Sequence, residues 1–156
     1  IGTSTYEMGE RRNVERGSSA HNTVVVGNRD QSEVWSGFRV GNRAKVKVLK
    51  DMQDQIVAEH NGYKSIGLIH RRSFNFFENS IEITDELINS ASCEGVAYFH
   101  FHPLITKEQI QASLFFENEL GTTENSFEMA DGYNRYKLGI CLAVKFEKVL
   151  KTKIKF

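Results

Sequence analysis

The chain has little of what usually staples, breaks or charges a protein. Of its 156 residues only two are cysteines and one is proline. Cys93 and Cys141 lie far apart in no metal-like spacing, so no disulfide framework organises the fold and spacing assigns no pairing. Lysine plus arginine equals aspartate plus glutamate, 20 against 20. That balance carries no footprint of nucleic acid or of an anionic membrane. No apolar run is long enough to span a bilayer, and no signal peptide is visible. Internal repeats and low-complexity tracts are absent too. The length is one domain's worth, enough to bury a core. The chain opens on Ile1-Gly2-Thr3 without an initiator methionine and reads as a piece of something longer.

What is present is concentrated between Arg16 and Arg43. His21-Asn22 stands at the mouth of a β-branched run, Thr23 to Val26, whose residue types suit a half-buried strand. Gly27-Asn28-Arg29-Asp30 supplies turn chemistry, and Ser32 to Val40 is expected to return as the second strand of a hairpin. Ile1–Tyr6 is β-prone, and the charged Glu7–Arg16 stretch reads as a loop. Downstream, strands are expected over Lys45–Val48, Gln55–His60, Ile66–Phe77 and Ile81–Thr84, with Asn61-Gly62 as a hairpin turn. Asp85–Ser90 reads as a loop or single helical turn. Gly95–His102 is a strand ended by Pro103. Thr106–Glu119 suits helix or strand, and the all-β surroundings favour strand. Asn118–Asn134 reads as loop-rich, with a short strand near Ser126–Met129. Tyr136 to Phe146 alternates without a break, and Lys151–Phe156 reads as a separate edge strand whose lysines discourage pairing. Many strands at short spacing predict an all-β fold, a two-layer antiparallel β-sandwich filling residues 1–156 as a single domain.

Three sets of residues could carry chemistry. The first is His21, His60, His70, His100 and His102. Histidines on strands are most often half-buried hydrogen-bonding residues, and the His100/His102 pair reads as a surface pair beside Tyr98. The second is a polar set, Tyr6, Arg11, Arg12, Arg16 and Arg39, able to meet sugar carboxylates or sulfates. Of these Tyr6 and Arg16, close to the loop that leads into His21, are the better candidates for facing a ligand. The third is Trp35, which could face a sugar ring but is expected in the core. Asn22 is expected to fix the start of its strand rather than to touch substrate, though it stands at the same rim.

SSAHNTVVV followed by DQSEVWSGFRVG, then AEHNGY (58–63), IHRRSF (69–74) and FHFHP (99–103), resembles the C-terminal β-sheet domain of heparinase II/III-like polysaccharide lyases. The resemblance covers roughly the first two thirds of the chain. It implies a bacterial protein, periplasmic or in the cell envelope, that cleaves an acidic polysaccharide next to a uronic acid by β-elimination. Such chemistry needs a base for the proton beside the carboxylate and stabilisation of the enolate that follows. In the family the principal tyrosine sits on an N-terminal helical toroid, the partner domain this chain lacks. The β domain supplies a supporting face, in some members with a histidine at the position of Ser19. No catalytic residue is therefore carried across, and the piece alone is expected to be inert. Tyr6, Arg16 and Asn22 become the candidates for the substrate-facing wall. Some members bind a structural zinc through two histidines and an aspartate. Carried across, these fall on His21, His70 and Asp30, with Glu33 the alternative to Asp30. Relatives often carry an aspartate where this chain has Gly27. Two other classes compete with the lyase reading: a non-catalytic carbohydrate-binding or scaffold sandwich, and a cupin-like metal enzyme, which the lack of a tight histidine–carboxylate motif ranks last.

Overall fold

The computed structural model describes residues 1–89 and 93–156. In chain order the elements are α1 (Glu10–Arg16), β1 (Val24–Val26), β2 (Glu33–Trp35), β3 (Arg39–Gly41), β4 (Val46–Asp51), β5 (Gln55–His60), β6 (Ile69–Phe77), β7 (Ser80–Ile88), β8 (Glu94–His100), α2 (Lys107–Ser113), β9 (Leu114–Ala130) and β10 (Tyr136–Lys155). Every strand pairing is antiparallel. None of the described helices is long and apolar enough to cross a membrane.

β10 is the pivot. One side pairs with β9 along nearly its whole length. The other side pairs with β8 across Cys141–Glu147, then with β7 across Val149–Lys155. The change of partner falls at Lys148, whose φ of 57° is left-handed, and the β9 register slips at the same place. An irregular residue in a long strand bends it and lets it serve two layers. One arm is β1-β8-β10; the other continues β10-β7-β6-β5-β4. Between them lies one apolar cluster with Val24, Val26, Ala97, Phe99, Val144 and Phe146 from the first arm and Ile83, Leu87 and Leu150 from the second. Fully burying a side chain of this size contributes about 1.5–3 kcal/mol. The expected sandwich is what forms.

Several local expectations are corrected. Ile1–Tyr6 forms no strand, and the charged stretch holds α1, pinned by Glu15, whose side chain takes the Ser4 N–H at 3.0 Å and Arg11 Nε at 2.8 Å. Burial alone would raise the Glu15 carboxyl; the Ser4 and Arg11 bonds hold it below its ordinary range. β1 makes no hairpin with the next strand. It pairs with β8, while β2 and β3 form a separate two-stranded ribbon. Asn61-Gly62 is not a two-residue turn. The chain makes a 3-10 turn at Lys64–Ile66, which sinks Tyr63 and Leu68 into the core. Tyr63 O–H donates to Val24 O at 2.6 Å, and burial pushes its phenol up to about 12. Asp85 lies within β7, and only Ser90 of that stretch falls outside the described residues. Thr106–Glu119 divides into α2 and the start of β9. The lysine-rich end is no edge: it is the end of β10, flanked by β7 on one side and β9 on the other, with Lys153 Nζ 2.8 Å from Glu82.

Candidate functional site

The expected residues fall into three places, the first two joined by hydrogen bonds through Arg72. The first is the rim at the mouth of β1, where His21 and Asn22 are both exposed. Asn22 Oδ1 accepts from the backbone N–H of His100 at 2.7 Å and lies 3.0 Å from His100 Nδ1. An oxygen already taking a backbone N–H can only accept, so Nδ1 carries the ring proton and Nε2 keeps its lone pair. Burial lowers the His100 imidazole to about 4, so it stays neutral. Tyr98 stacks on this ring and Phe127 meets it edge-on with centroids 4.8 Å apart. Among the described residues, the Asn22 Nδ2 amide has no hydrogen-bond partner. It is left as a donor at an exposed rim.

The second place is buried. Arg72 spans from the rim to the sheet: it donates to Asn22 O at 2.6 Å and forks onto Asp85 at 2.7 and 3.0 Å. Asp85 is fully buried. Burial would raise its carboxyl, but Arg72 and His70 hold it below the ordinary range. His70 Nε2 lies 2.7 Å from Asp85 and its Nδ1 lies 3.0 Å from His60 Nε2. Gly62 N–H donates to His60 Nδ1 at 3.2 Å. That bond fixes the direction of the chain, with His60 Nε2–H donating to His70 and His70 Nε2–H donating to Asp85. Burial, then His70, lowers the His60 imidazole to about 4.

The third place is the β2–β3 ribbon. Arg16 donates to Ser36 O at 2.7 Å and to Arg39 O at 2.9 Å. Arg12, buried beside it, lies under Tyr6 and Phe38 at 5.5 and 5.7 Å from their ring centres. Tyr6 stacks on Phe38 with centroids 6.3 Å apart. Tyr6 is therefore an open aromatic face, whereas Arg16 fastens the ribbon. Trp35 is no core residue: it is 44% exposed.

His21 and Asp30 lie within electrostatic reach of each other, and Asp30 Oδ1 takes the Ser18 N–H at 2.6 Å. His70 is elsewhere, with both ring nitrogens engaged. Among the described residues no three histidine, cysteine, aspartate or glutamate side chains form a metal-holding group. The expected zinc set His21, Asp30 and His70 does not fit together as three ligands. Sequence reasoning overlooked Asp85, placed in a predicted loop, and Arg72; the available signal was the arginine pair in IHRRSF, of which Arg72 meets Asp85 while Arg71, on the opposite face, pairs with Glu59 at 2.9 Å.

Comparison with known proteins follows the same lines. Residues 1–145 match the family model described as heparinase II/III-like, C-terminal. No curated protein matches the sequence. Among solved structures, a heparinase III gene product superposes with a TM-score of 0.69 at 19% identity, over 99% of this chain and 27% of that one. Heparan sulfate lyase HepC from Pedobacter heparinus gives 0.62 at 13% identity, over 92% of this chain and 25% of that one. Identities this low establish a shared fold, and this chain spans about a quarter of their length. The chain belongs to the heparinase II/III-like C-terminal domain family.

Proposed function

We propose that this chain is the β-sheet wall of a polysaccharide lyase that cleaves uronic-acid-containing polysaccharide by β-elimination. The observation that carries the reading, within a family of lyase domains, is the state of Asn22. His100 holds its oxygen, which leaves the amide N–H₂ as an oriented donor at the rim beside His21. Removing the proton next to a uronate carboxylate places negative charge on that carboxylate as an enolate. A fixed neutral donor stabilises such charge without having to reorganise. Tyr6 extends the same wall as an aromatic face, and Arg16 acts on it through the ribbon that it fastens. The base that takes the proton is assigned outside this chain, since the position that holds a histidine in some members is Ser19 here.

The test is a lyase assay on the whole product of the gene, with heparan sulfate, chondroitin, hyaluronan and alginate, following unsaturated-uronate absorbance. Product is expected from at least one of them. Asn22→Asp keeps an acceptor for His100 but replaces the donor, and is expected to lower kcat/KM by roughly 100-fold. Silence on all four polysaccharides would overturn the lyase reading. It would favour a non-catalytic carbohydrate-binding sandwich, to which Ser19 already gives support. A metal at the rim would draw on His21 and Asp30 and take its other ligands from outside the described donors. Elemental analysis of native protein against His21→Ala decides it, and equal, negligible metal in both rules it out.

A further inference from the structure

A recess lies beside the ribbon, and neither Asn22 nor His100 lines it. It is a cavity of about 500 Å³, within the range of sites that enclose small ligands, and its lining includes Arg29, Glu33, Trp35, Asn42 and Lys64. We propose that this cavity is an accessory subsite for one acidic sugar unit of the same polysaccharide. The choice of an acidic sugar rests on the lyase reading; the existence of a sugar site rests on the cavity itself.

Three features of the cavity fit a sugar acid. The indole of Trp35 is held flat by a neighbour without a side chain: a Cβ on Gly41 would lie 2.9 Å from Trp35 Cζ3. A ring backed in this way offers its electron-rich face to the C–H edges of a sugar without first having to be ordered. Arg29 and Lys64 are exposed, and among the described residues neither has a carboxylate within ion-pair distance. Unpaired cations lining the same cavity as an aromatic platform suit a carboxylate or sulfate, taken by the arginine fork and by the lysine point charge. Glu33 and Asn42 supply acceptors for sugar hydroxyls. The recess is also firmly built. A Cβ on Gly62 would lie 2.7 Å from Gln31 O, so the 61–68 loop touches the 27–32 loop backbone to backbone. Asp30, on the cavity wall, ties that loop to Ser18 at 2.6 Å, three residues before His21.

Trp35 is the only tryptophan of the chain, so its fluorescence reports on this cavity alone. Titration with a sulfated or uronate hexasaccharide is expected to give a saturable change in emission, and a neutral hexasaccharide of equal length none. Arg29→Ala and Lys64→Ala should each weaken binding about tenfold, more at low salt than at high. Trp35→Phe keeps an aromatic face and should bind within about threefold by calorimetry, whereas Trp35→Ala should lose about tenfold or more. Saturable binding by calorimetry with unchanged Trp35 emission would place the ligand elsewhere and overturn the subsite while leaving the lyase reading intact. Absence of binding by both readouts would overturn it as well. A Trp35 response in this chain, together with a whole gene product that is silent in the lyase assay, would keep the subsite and remove only the catalytic reading.

Discussion

The buried polar line on β6–β7 and the ribbon beside it use the same residue types for opposite ends. In the sheet, Arg72 is engaged by Asp85 and Asn22, His70 by Asp85 and His60, and Asp85 is fully buried. Both ring nitrogens of His70 and both carboxylate oxygens of Asp85 are already engaged. Around the ribbon, Tyr6 and Phe38 are 61% and 69% exposed, and Arg29 and Lys64 have no carboxylate partner among the described residues. Arg12 and Arg16 mark the boundary: they belong to α1, and their bonds to the carbonyls of Gly37, Ser36 and Arg39 hold the ribbon in place. A charged residue in this fold thus speaks for function only when its partners have been counted.

Breaking the sheet side should cost most. Asp85→Ala strands Arg72 and His70 without their carboxylate, and loss of one partner of a buried pair typically costs about 3–5 kcal/mol. Urea unfolding should show that loss directly, and a change below about 1 kcal/mol would mean that the pair behaves as a surface pair.

Acid should act next, on the sheet side through His60 and at the rim through His100. His60 and His100 sit at about 4, below the ordinary histidine value of 6.5, so the unfolded chain binds protons more readily there. Their share of stability is complete above pH 6.5 and is lost as pH falls toward about 4. Asp85, also held low, adds stability that disappears as pH falls further, through its folded value. Thermal melts should therefore decline in two stages. His60→Gln should flatten the upper one, and an unchanged slope there would break the assignment.

Smaller effects sharpen the ribbon side. Arg16→Ala removes the bonds to Ser36 and Arg39 carbonyls and should cost about 1 kcal/mol, read by urea unfolding, with faster amide exchange confined to β2–β3. Trp35→Ala should shift stability by no more than about 0.5 kcal/mol, as expected of an exposed side chain. A larger loss would return Trp35 to the core, where its sequence pattern had placed it.

Period and turn chemistry made much of the sheet legible. Gln55–His60 emerges with the expected bounds, and Gly95–His100 and Tyr136–Phe146 emerge as strands because alternation along a strand is local information. What failed was mostly non-local. Val24–Val26 has a turn after it that invites a hairpin, yet the strand binds β8 because both Val24 and Val26 are then fully buried. The lysines of 151–155 look like edge residues until Glu82 and Glu117 come opposite them. α2 was a local miss: Thr106 and Gln109 form a capping box that the sequence spells out. At the rim, His21 and Asn22 could be singled out from the motif, but His100 as the partner of Asn22 could not, since 78 residues separate them.

Hydrogen exchange of the chain with and without a uronate hexasaccharide tests the division between the two sides most directly. Added protection is expected over residues 18–22, 29–42 and 61–66, with the β6 and β7 amides unchanged. Protection centred on β6–β7, or none anywhere, would contradict it.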